Sequence, residues 1–211
     1  MGRNIETQEQ GFPTVRIGDV KPADKSAESW LIEGLWSWRA VGLLAGCPKT
    51  NKTWAAIDIA ISVASGTKAL ENFPVPKPGR VVFFAAEDPQ VFLRERFEAI
   101  AARRGLAFKT LDVHLIDVPV MRLDDARDQL RLIHTLESLR PRLLVLDPLV
   151  RIHTMEENSA SEISVLLSFL RSIERKLESA VLLVHHTRKD AGSGTQPGQT
   201  LRGSSDLWAW G

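Results

Sequence analysis

The sequence predicts an α/β domain in which a mostly parallel sheet is flanked by helices on both faces. Three observations carry that expectation. AVGLLA at 40–45, RVVFFAA at 80–86, RLLVL at 142–146 and AVLLV at 180–184 are short and nearly all apolar, as strands buried on both faces require. Longer stretches with helical spacing lie between them, such as Ile163, Leu166, Leu167, Leu170, Ile173 and Leu177. Strand-sized and helix-sized segments therefore alternate, the order that crossover connections between parallel strands demand.

The bulk numbers set the outer limits. With 211 residues, 44% hydrophobic and 25% charged, the chain has ordinary globular composition and can bury a sizeable core. Its 27 basic and 26 acidic residues leave a net charge of +1, so any nucleic-acid surface must be a local basic patch. The single Cys47 excludes a disulfide framework and a cysteine zinc cluster, and a reducing, cytoplasmic setting is expected. No apolar run reaches the roughly 18 residues that suggest a membrane span, and residues 1–28 hold no signal-peptide core. That lead-in mixes Gly, Pro, Gln and charge without period. It is expected to be poorly ordered, with the folded core at 29–211.

Each element follows from local chemistry. Ala40–Ala45 is a buried strand ending at Gly46. Lys52–Ser65 is a helix with Trp54, Ile57, Ile61 and Ala64 on one side, closed by Gly66. A proline-stiffened connection over 73–79 leads to a strand at 80–86. Asp88-Pro89 reads as a helix start, Asp as N-cap and Pro at the first position, running to Arg104 before Gly105. A strand at 113–118 and a helix at 124–139 follow. The strand at 142–146 ends at Asp147. Ser159-x-x-Glu162 reads as a capping box opening a helix to Leu177. The last strand, 180–184, ends at His185-His186, and a Gly/Ser/Thr/Gln-rich loop spans 190–200.

The residues with chemistry cluster at strand ends. Gly46-Cys47-Pro48-Lys49-Thr50-Asn51-Lys52-Thr53 lies between a strand and a helix, with the spacing of a phosphate-binding P-loop, and Trp54 follows it. In such a loop backbone N–H groups and the helix N-terminus hold phosphate oxygens, Lys52 adds charge, and the Thr53 hydroxyl faces Mg²⁺. Asn51 stands where the consensus has a second glycine. Asn tolerates positive φ better than most residues, so the loop can still close. Acidic residues end two more strands. Asp147 fits a Mg²⁺-holding role, and Glu87 fits a base that deprotonates the attacking water. Taken singly, Asp147 is equally a turn residue before Pro148, and Glu87 equally an acid at a helix N-terminus. His185 and His186 end a strand at the same edge, where an imidazole could contact the γ-phosphate. Trp36, Trp38, Trp208 and Trp210 suit packing more readily than stacking on bases.

Together GLLAGCPKTNKTWAAIDIAISVASG, VVFFAAEDP, LLVLDPLVRIHTMEENSAS, LLVHHTRKD and LRGSSDLWAWG resemble the RecA-like P-loop core of RepA-type hexameric replicative helicases and their AAA-labelled relatives in plasmids, phages and mobile elements. The resemblance implies ATP and Mg²⁺ as cofactors, single-stranded DNA as a partner, and a hexameric ring. It makes Lys52 and Thr53 nucleotide and Mg²⁺ contacts, Glu87 the catalytic base, Asp147 the Walker B acid and His186 the sensor, with His185 its less favoured stand-in. It places Arg188, Lys189 and Arg202 on a DNA-contacting loop, and 151–157 in a second channel-side or interface loop. Relatives continue through further strands that carry an arginine finger. The expectation is a core truncated at its C-terminal strands that hydrolyses ATP slowly, since such a finger is worth about 10³–10⁵ in rate. Two other readings remain open: a non-motor ATP-binding assembly module, which Asn51 favours, and a small-molecule kinase, which the sparse arginines after His186 disfavour.

Overall fold

The computed structural model describes residues 14–19, 29–156 and 159–187. A short 3-10 turn at Ile17–Asp19 precedes a hairpin of β1 (Trp30–Ile32) and β2 (Trp36–Ser37). Then follow β3 (Val41–Gly46), α1 (Lys52–Ser65), β4 (Val81–Ala85), α2 (Gln90–Arg103), β5 (Val113–Leu115), α3 (Ala126–Leu139), β6 (Leu143–Asp147), α4 (Ala160–Leu177) and β7 (Ala180–His186). The five strands from β3 onward pair in parallel in the order β3-β7-β6-β4-β5. The expected α/β class and strand–helix alternation are both present.

Strand alternation sorts the core into two halves. Val81, Phe83, Leu143, Val145, Leu182 and Val184 pack with Ile57 and Ile61 of α1 and Leu93 and Phe97 of α2. Their neighbours Val82, Phe84, Leu144, Leu146, Val181 and Leu183 pack with Leu132 and Leu136 of α3 and Ile163, Leu166 and Leu170 of α4. Both faces are therefore covered, which is why these strands read as unbroken apolar runs rather than alternating ones. Phe83 and Phe97 meet edge to face, ring centres 5.5 Å apart, tying α2 to the sheet centre.

The β1–β2 hairpin has too short a pattern to be legible in sequence. It turns at Gly34, φ 72°, and buries Leu31 and Ile32 completely against the α1 side. Trp36 donates its indole N–H to Ala40 O at 3.2 Å and lies so close to Gly42 that a Cβ there would sit 2.8 Å from the ring. Trp38 lies 3.9 Å under the Arg142 guanidinium. Both are packing residues.

Helix starts depart from expectation in three places. Pro89, not Asp88, is the N-cap of α2, without a side-chain bond; Asp88 instead binds Arg96 through both oxygens, at 2.6 and 2.9 Å. The helix expected from Asp124 begins at Ala126, capped by Asp125 through Arg127 N, while Asp124 accepts from the Thr154 N–H and hydroxyl. The Ser159 capping box does not form: Ser159 Oγ meets Ser161 Oγ, and Glu162 reaches back to Glu156 N at 3.0 Å. In each case another partner outcompeted the expected cap. The strand expected over 113–118 stops at Leu115, because its partner β4 ends at Ala85 and the chain turns after Ile116 N donates to Phe83 O.

Candidate ATP site

The site is set by where β3, β4, β6 and β7 end. In a parallel sheet all carboxyl ends open on one edge, where ligands bind. The strand order puts β7 between β3 and β6, so the P-loop strand and the Asp147 strand are separated by the strand that ends in His186. Gly46 pairs in register with His186, and Ala85 with Asp147.

The loop from Gly46 to Lys52 closes on itself. Lys49 and Asn51 take φ 65° and 60°, left-handed positions that cost non-glycine residues about 1 kcal/mol each. Asn51 thus adopts the conformation its chemistry permits, and its carbonyl accepts from Ala55 N in the first turn of α1. Thr50 donates to Cys47 O at 2.8 Å. Gly46 suits this turn, since a Cβ would meet Thr50 Oγ1 at 3.0 Å. Lys52, only 8% exposed, donates to Gly46 O and Cys47 O at 2.9 and 2.7 Å, filling the concavity where phosphate oxygens would sit. Burial lowers its pKa, opposed by the charges of Asp147, Cys47 and Glu87.

A cavity of about 270 Å³ opens beside this loop, lined by Lys49–Trp54, Glu87, Asp88, Arg96, Asp147 and His186 among others. Of the residues singled out from sequence, Lys49, Thr50, Asn51, Lys52, Thr53, Trp54, Glu87, Asp147 and His186 share it. Gly46 and Cys47 support it through the Lys52 bonds. His185 is buried in the strand and is absent from the lining, because adjacent strand residues face opposite ways. Arg188, Lys189, Arg202, Trp208 and Trp210 lie outside the described residues.

Three lining or neighbouring residues were not singled out from sequence as part of the site. Asp88 and Arg96 form the bidentate pair described above, and the Arg96 guanidinium stands 5.7 Å from the Trp54 ring centre. Arg151 donates from Nε to Glu87 Oε1 at 2.8 Å. Opposite charges eight residues apart across a helix start were a faint signal for the first pair. Nothing in the sequence signals the second, which spans 64 positions.

The carboxylates are unequally served. Glu87 has Arg151 and Asp88 has Arg96. Asp147, 6% exposed, has a hydrogen bond from the Thr53 hydroxyl, while its Oδ2 is buried without a hydrogen-bond partner. Burial pushes its pKa up to about 6; the Thr53 bond opposes this, the charges of Asp88 and Glu87 add to it, and Lys52 opposes it. Asp147 and Thr53 together fit a divalent cation, which would engage the orphaned oxygen and reverse the shift. Among the described residues no group of three or more His, Cys, Asp or Glu forms a metal cage, and a P-loop cation needs none, since phosphate oxygens and water complete its shell.

Burial of this carboxyl also bears on stability. The folded protein holds the Asp147 proton more tightly than the unfolded chain, so the stability it gives up is nil below the ordinary value of 3.8 and complete above about 6. Asp147→Asn is expected to stabilise the ligand-free protein at pH 7 by on the order of 1–3 kcal/mol, converting the shift to energy and allowing for the amide's own unmet bonds. Thermal melts at pH 7 and near pH 4 check it: the gain should shrink at the lower pH. A variant that melts below the wild type at pH 7 contradicts the assignment.

Comparison with known proteins agrees with this geometry. A solved helicase ATPase domain superposes with a TM-score of 0.59 at 16% identity, covering 82% of this chain and 66% of that one. A KaiC-like protein from the hyperthermophilic archaeon Pyrococcus horikoshii OT3 gives a TM-score of 0.52 at 19% identity, covering 82% and 68%. The chain thus spans about two thirds of the length of each, and at these identities the likeness establishes the RecA-like fold. No helix among the described residues is long and apolar enough to cross a membrane. The sequence profile of the AAA domain family matches residues 6–192, and the chain belongs to that family as a RecA-like P-loop ATPase domain.

Proposed function

We propose that the chain binds Mg²⁺-ATP at this cavity and hydrolyses it, coupling turnover to movement along single-stranded DNA as a subunit of a hexameric ring. The observation that supports hydrolysis is the convergence of Lys52, Thr53, Glu87, Asp147 and His186 on one sheet edge, with a buried carboxylate oxygen lacking a partner.

Each residue has a task in that reading. The loop N–H groups and the N-terminus of α1 cradle the β- and γ-phosphates. Lys52 exchanges the carbonyls of Gly46 and Cys47 for phosphate oxygens. Thr53 and Asp147 hold Mg²⁺, which when bound neutralises charge on the phosphates. Glu87 accepts the proton of the attacking water. His186 contacts the γ-phosphate and passes its loss to the chain that follows, where Arg188, Lys189 and Arg202 supply DNA phosphate contacts. Trp54 and Arg96 flank the cavity as the wall against the base.

The test is ATP turnover with and without oligothymidylate over a range of salt. Turnover that rises with the oligonucleotide, with a gain that shrinks as salt increases, supports a DNA-coupled ATPase. Turnover indifferent to DNA overturns the motor reading in favour of a non-motor ATP-binding assembly module. Asn51 in place of glycine and the engagement of Glu87 by Arg151 favour that second reading.

A further inference from the structure

Glu87, the proposed base, does not stand free at the cavity. Its Oε1 accepts from Arg151 at 2.8 Å, and the two side chains are 45% and 60% exposed. A general base must offer a lone pair to the water it deprotonates, and here one oxygen is spent on a guanidinium. An ion pair this exposed is held weakly, so another anion can take the arginine.

The backbone under Arg151 is fixed. Its N–H donates to Pro148 O at 3.1 Å, and its carbonyl accepts from the Arg122 guanidinium. Next to it, Ile152 O accepts from Leu123 N at 2.7 Å, and Thr154 is held through its N–H and hydroxyl by Asp124. The 149–154 segment is thereby stapled to the start of the α3 connection. Only the Arg151 side chain is left to swing, by rotamer change alone. It stands four residues past Asp147, beside a second guanidinium, that of Arg122, and next to the part-exposed Val150. Two arginines on a stapled rim suit the phosphates of a polynucleotide better than a lone phosphate, which one cation could hold.

We propose that Arg151 is a positioning residue: it clamps the Glu87 carboxylate until a polynucleotide phosphate takes its guanidinium, and so makes hydrolysis conditional on bound single-stranded nucleic acid. The inference rests on Glu87 being the base of the proposed ATPase, yet it has a consequence independent of catalysis. If nucleic acid releases Glu87, then removing the Glu87 charge must tighten nucleic-acid binding by the same factor, because linkage is reciprocal.

The experiment has two arms, both on the full chain. In the first, fluorescence anisotropy measures the affinity of a labelled oligothymidylate for wild type, Glu87→Gln, Arg151→Gln and the double variant, without nucleotide. Glu87→Gln should bind about two- to fivefold tighter, the worth of an exposed ion pair, and should lose that gain when Arg151→Gln is added. Unchanged or weaker binding by Glu87→Gln overturns the clamp whatever the turnover does, and so does a gain that survives in the double variant. In the second, ATP turnover is measured with and without oligothymidylate. Arg151→Gln should raise the DNA-free rate toward the DNA-stimulated wild-type rate and erase the stimulation, while Arg151→Lys should restore part of it. A fall in stimulated rate with no rise in basal rate overturns the clamp and makes Arg151 a plain DNA contact. If the wild type turns over no ATP but the affinity coupling holds, the ATPase reading fails and the Glu87–Arg151–nucleic acid linkage stands.

Discussion

Glu87→Gln is expected to lower ATP turnover by about 10²–10⁴, the contribution of a positioned general base, while leaving ATP binding close to wild type. The carboxylate follows β4 and lines the cavity opposite the P-loop, and no loop hydrogen bond depends on it. Gln retains size and polarity but cannot take the water's proton. The informative comparison is therefore kcat against nucleotide affinity, the first read from steady-state phosphate release and the second from a nucleotide-induced rise in melting temperature. A normal kcat would remove Glu87 from the mechanism; loss of binding along with kcat would mean that it shapes the pocket.

Lys52→Ala is expected to fail on both counts. Its ammonium is the cation placed inside the phosphate cradle, almost buried and held there by two loop carbonyls. With phosphate present those bonds are traded for charge-assisted ones, about twice as strong as neutral pairs. Without the lysine, nucleotide should no longer raise the melting temperature, and residual kcat should fall by about 10²–10³, as on loss of one donor to transition-state charge. The ligand-free fold should survive, because the side chain packs against its own loop and not in either half of the core. Wild-type protection by ATP in this variant would show that the nucleotide binds elsewhere.

Much of the fold was legible in the sequence because its signals are local. Apolar runs such as LLVL at 143–146 read as doubly buried strands, and the period of Ile163, Leu166 and Leu170 read as a helix face; both faces of the sheet proved covered. Gly66 ends α1 in the left-handed conformation with its N–H on Ser62 O, as its lack of a side chain favours. Helix starts were less legible. Asp88, Asp124 and Ser159 have the right chemistry for caps, but each found another partner, Arg96, Thr154 or Ser161. Cap propensity of about 1 kcal/mol is easily outbid by a bidentate ion pair or a second backbone bond.

For the site, the sequence by itself determined the chemistry: a glycine-led loop with Lys52 and Thr53, an Asn51 able to take positive φ, and acids or imidazoles at the strand ends. Those identities need no partner to be recognised. Only the tertiary structure decided which of them meet. Strand order is a long-range choice that local periodicity does not encode, and it put β7 between β3 and β6, bringing His186 rather than His185 to the cavity. Burial, set by the packed sheet, left Asp147 with an unmet oxygen and a raised pKa. The Arg151–Glu87 pair joins residues 64 positions apart. Such contacts exist because folding closes the long loop between them, and sequence spacing carries no trace of them.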